Sequence, residues 1–137
     1  MNIIDFEDGL VGYRLNGGGV LRFNPADPNI YSRFLQLGDK LEQVQQELSG
    51  SSDALWQLTQ ADQKIKALLG WVFGGHNDFD ALLGGVNLLA MAGNGQRVLI
   101  NLLDALEPIM RQGAEQCARD LAASAVAQAR QRRDGQC

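Results

Sequence analysis

The chain has 137 residues, 45% of them hydrophobic. It is long enough to bury one core without disulfides or metals and too apolar to be disordered throughout. A net charge of −4 argues against a nucleic-acid binder held by phosphate contacts. Cys117 and Cys137, the two cysteines, form neither a CxxC pair nor a zinc spacing, which points to free thiols in a reducing compartment.

The opening MNIIDFEDGL is acidic and lacks the charged-then-apolar order of a secretion signal. GYRLNGGGVLRF follows, two short apolar runs around an Asn-Gly turn, which predicts a β-hairpin over about 10–24. Such a hairpin is marginal alone and has to pack on helices or pair with another chain. In FNPADPNIYSRF, Asp27 followed by Pro28 fits a helix N-cap with proline in the first turn. Ile30, Phe34, Leu37, Leu41, Val44 and Leu48 then recur in steps of four and three, one apolar helix face. SGSSD ends this helix and caps a second over about 54–73. Leu55, Leu58, Ile65, Leu69 and Val72 form its stripe, and Trp56, Leu68 and Phe73 widen it. In GWVFGGHNDFDALLGG, Gly74 and Gly75 read as a left-handed helix end, and Asn77 or Asp78 as the cap of a short helix FDALL.

A third long pattern carries Leu99, Leu102, Leu103, Leu106, Ile109, Met110, Cys117 and Leu121 at helical spacing. Pro108 inside it predicts a kink or break near residues 104–107. Beyond Gly113 the sequence is alanine-rich and offers little apolar area, so this part is expected to fray or to dock on a neighbour. ALLGGVNLLAMAG is too short and too rich in glycine to span a bilayer. The expected architecture is mainly α, a helical bundle of three to five helices with a short N-terminal β-hairpin. It forms a single domain, with a helical core over about 27–112 and an Ala/Arg-rich helix or tail over 113–137. The expected setting is the cytoplasm.

His76, Asp78 and Asp80 are the first candidates for chemistry. His76 is the chain's sole histidine, no cysteine is adjacent, and the twelfth position from Asp78 is Leu89 rather than a closing glutamate. Neither a zinc site nor a calcium loop fits, and no metal or cofactor is expected. GxSxG and GxxxxGK[ST] are absent, and GNGQRV lacks the dinucleotide spacing. Cys117 with His76 is the one Cys–His pair available, but Cys117 falls on the apolar stripe, where a buried inert thiol is the usual case. Charge is uneven. Up to Asp62 acids outnumber bases by nine to four, whereas Arg130, Arg132 and Arg133 cluster at the end, an asymmetry that favours head-to-tail or partner contacts.

The order of these segments resembles that of small tail assembly chaperone-like proteins of siphophages and prophages of Gram-positive bacteria. The resemblance runs from about Phe23 to Met110. It rests on FNPADPNIYSRF opening the first helix, DQKIKALLGWVFG closing the second, NDFDALLGGVNLLAMAGNG, and the proline-containing NLLDALEPI. Leu82 and Leu83 stand where that family's turn carries a phenylalanine. The resemblance implies a non-enzymatic protein that binds the tape measure protein, aids assembly of the tail tube protein around it, and touches neither nucleic acid nor membrane. The alternative is a small structural or oligomeric helical adaptor of a phage or prophage, and a homo-oligomer is left open. Candidate partner contacts are Phe23, Tyr31, Phe34, Phe73, Phe79, Arg130, Arg132 and Arg133.

Overall fold

The computed structural model describes the backbone of residues 1–134 and the side chains of residues 1–132. The elements run β1 (Val11–Arg14), β2 (Val20–Phe23), α1 (Pro28–Leu48), α2 (Ala54–Phe73), α3 (Phe79–Leu82) and α4 (Val98–Asp134). The fold is mainly helical with an N-terminal hairpin.

The hairpin closes on Asn16 and Gly17, both at positive φ (50° and 74°), as a type I′ turn requires. The Gly18 amide donates to the Leu15 carbonyl at 2.8 Å and completes the turn. β1 and β2 pair antiparallel with Tyr13 opposite Leu21 and Val11 opposite Phe23. Leu21 and Phe23 thereby face the helices and are buried. The turn rests on α3, where a Cβ on Gly19 would come within 2.8 Å of Leu82.

Asp27 caps α1, accepting from the Asn29 amide at 2.9 Å, and Pro28 occupies the first turn. Along α1 the predicted stripe is the packed face. Ile30, Leu37, Val44 and Leu48 are buried, while Phe34 and Leu41 are half-buried. Asp53 caps α2 through the Trp56 amide, 3.1 Å away. Its stripe holds only in the second half. Ile65, Leu69, Val72 and Phe73 are buried, whereas Leu55, Trp56 and Leu58 are exposed. These three side chains of the first turns of α2 stay open to solvent.

α2 ends at Gly74, whose φ of 116° is positive but whose ψ of 142° takes it out of the left-handed helical cap expected from Gly-Gly. A Cβ there would lie 2.8 Å from the His76 ring, so glycine permits the close return of the chain. Asp78 caps α3 and accepts from the Asp80 and Ala81 amides.

α4 is one helix through Pro108, so of the expected kink or break the break does not occur. The cost of proline is one missing donor and a clash with the preceding turn. Asp104, whose carbonyl loses its partner, is on the exposed side, and Leu106 and Met110 on either side of the proline are buried in the core. Packing outweighs the local penalty. At Gly113 the helix meets the turn before α1 so closely that a Cβ would fall 1.9 Å from the Pro25 carbonyl oxygen. Past that contact every residue over 118–132 is exposed, including Leu121, which shares the helical spacing of the packed residues before it. An alanine-rich segment forms a good helix alone, and here it forms one without tertiary cover.

Candidate functional site

The segment 70–85 proves to be a joint between the hairpin and the helices. Phe23 of β2, Phe73 at the end of α2 and Phe79 at the start of α3 touch in series, the first pair edge to face and the second tilted, with centroids 5.0 and 5.7 Å apart. Tyr13 adds a fourth ring, 5.1 Å from Phe23. The Asn77 side chain works as a substitute strand. Its Oδ1 accepts from the Arg22 amide at 2.9 Å and its Nδ2 donates to the Arg22 carbonyl at 2.8 Å. Nδ2 also reaches the Phe73 carbonyl, 3.2 Å away, so this buried amide ties α2 to β2. His76 Nε2 lies 3.0 Å from the same Arg22 carbonyl and 3.3 Å from Asn77 Nδ2. His76, Asp78 and Asp80 thus have separate structural tasks. No group of three or more His, Cys, Asp or Glu side chains able to hold a metal ion occurs among the described residues.

The chemistry that sequence reasoning missed is on α2. Lys66 is buried, with its ammonium 2.8 Å from Asp62 and 2.7 Å from Asp80. Asp62, itself buried, accepts from the Leu88 amide at 2.8 Å. One lysine therefore joins α2 to α3, and its acidic partner pins the loop before α4. Burial pushes the Lys66 pKa down, but hydrogen bonds and charge from Asp62 and Asp80 outweigh that and hold it above the usual lysine value. An ammonium held between two carboxylates is a poor nucleophile, so the cluster reads as a clamp. It forms one wall of an open groove of 1190 Å³ that also includes Thr59, Trp71, Asn77 and Asn87. Only the i, i+4 spacing of Asp62 and Lys66 was available in the sequence, and this looks like any solvated helix pair.

A second concavity, of 710 Å³, opens between the end of α1, the start of α2 and the loop before α4. Leu41, Val44, Leu48, Leu58, Ile65 and Leu99 make it largely apolar, and Arg97 is also part of the lining. Leu55 and Trp56, exposed on the first turns of α2, belong to the same end of the molecule.

The candidate contact residues separate into two groups. Phe23, Phe73 and Phe79 are core residues, no more than 2% exposed, so they are unavailable to a partner and are corrected here to packing positions. Tyr31 and Phe34 are half-buried against the same core. Arg130 and Arg132 are exposed on α4, and the Arg133 side chain lies outside the described residues, as does Cys137. Cys117 is a free, half-buried thiol rather than a fully buried one. No helix among the described residues is long and apolar enough to cross a membrane. Comparison with protein-family models, with curated proteins and with solved structures finds no match to this chain.

Proposed function

We propose that this chain is a non-enzymatic, cytoplasmic chaperone of phage tail assembly, with the tape measure protein as its client and the tail tube protein as the subunit whose assembly it aids. The observation that carries the reading is the apolar cleft between the end of α1 and the start of α2, with Leu55, Trp56 and Leu58 exposed at the same end of the molecule. Aliphatic side chains make up most of its lining, the form of groove that takes the apolar face of an amphipathic helix. A tape measure protein consists largely of such helices, and the order of segments from Phe23 to Met110 supports the same assignment.

Co-expression tests it. A tape measure protein from the same genome is expected to become soluble and to co-purify with the chain. Leu58→Asp, at the exposed lip of the cleft, is expected to weaken that complex about tenfold or more. No complex and no gain in client solubility would contradict the proposal. The uncovered end of α4 supports a second reading, a structural or oligomeric adaptor. A permanent assembly that forms without any client would favour it.

A further inference from the structure

The outer half of α4 carries a self-complementary face. Residues 115, 118, 122, 125, 129 and 132 follow steps of three and four, which place them in one line along the helix. In order they are Glu115, Ala118, Ala122, Ala125, Ala129 and Arg132. An acid stands at one end, a base at the other, and four small apolar residues stand between. Leu121 and Val126, 72% and 53% exposed, flank the line on its two sides. Neither Glu115 nor Arg132 has a charged partner among the described residues.

We infer that this face pairs with the same face of a second copy, antiparallel, about a two-fold axis between residues 123 and 124. Reversal sets Glu115 opposite Arg132 of the other copy at both ends of the seam. It sets Ala118 opposite Ala129 and Ala122 opposite Ala125. An isologous contact demands this self-complementarity, and a parallel pair would oppose like charges at each end instead. Small side chains along the line let the two helices approach closely, and Leu121 and Val126 are then covered on either flank.

The free length of the helix fits the same register. Pairing residue 115 with 132 also pairs 113 with 134. Gly113 is where α4 leaves the body, in contact with Pro25. The overlap therefore uses the whole projecting segment, about 30 Å of helix at 1.5 Å per residue. The two bodies stand at opposite ends of the seam. This pairing is independent of the apolar cleft, so a client and a second copy do not compete.

The test is sedimentation equilibrium of the reduced full-length chain over a range of concentrations, with Glu115→Arg, Arg132→Glu and the double variant. Both positions are exposed, so the fold is not at stake. The wild-type chain is expected to approach twice its monomer mass as concentration rises. Each single variant opposes like charges at both ends and is expected to dimerise about tenfold more weakly. The double variant re-creates both pairs and is expected to return to within about threefold of the wild type. A monomer at every concentration would overturn the inference. So would single variants that dimerise like the wild type, or a double variant no better than the singles.

Discussion

The two halves of α4 obey the same helical periodicity and have opposite fates. Leu99, Leu106 and Met110 in the first half are at most 5% exposed, whereas Leu121 in the second is 72% exposed. The difference is not propensity, since both halves are helical. It lies in what is opposite. The first half faces α1 and the aromatic joint, while the second extends past the last contact at Pro25. Periodicity tells which residues share a face, and only the rest of the chain decides whether that face is covered.

The largest expected effects separate these halves directly. Met110→Ala removes a fully buried side chain and should cost about 2–5 kcal/mol in urea unfolding, while Leu121→Ala should stay within about 0.5 kcal/mol. Similar losses at the two positions would break the comparison.

Lys66→Ala comes next. It leaves Asp62 buried without its counter-ion, and a loss of about 3 kcal/mol is expected, again by denaturant titration. The same clamp sets a pH dependence. The folded-state pKa of Lys66 is raised above its unfolded value of 10.5, so its contribution is fully present below that value. It is lost as pH rises through the folded-state pKa. Thermal melts above pH 10.5 should show this alkaline loss in the wild type, with a smaller loss in Lys66→Met.

Two glycines give the smallest effects, of opposite sign. Gly113→Ala drives a methyl into the Pro25 carbonyl and should destabilise by about 1–3 kcal/mol. Gly38, inside α1, has open space where its Cβ would be, and Gly38→Ala should stabilise by about 0.5–1 kcal/mol. If both substitutions stabilised, α4 would not pass the α1 turn at the distance described.

These contrasts follow the line between what the sequence reveals and what it hides. The caps at Asp27, Asp53 and Asp78, the Asn-Gly turn and the stripe of α1 are local signals, and the elements form where those signals place them. The hidden features all depend on residues far apart in the chain. Asn77 reads as a capping residue, yet its amide serves a strand 55 residues away. Lys66 reads as one more charge on a solvated face until α3 folds back to bring Asp80 to it. Gly113 marks only a change of composition in the sequence, yet it is where α4 touches the turn before α1. The aromatic residues that suggested a binding surface are those whose area most favours burial, and the core takes them first.

Amide hydrogen exchange along α4 of the dilute, monomeric chain tests the division most directly. Strong protection is expected from about residue 102 to 112, where the helix is packed, and weak protection over 118–132, where every residue is exposed. Equal, strong protection of both stretches at a concentration where the chain is monomeric would contradict the account.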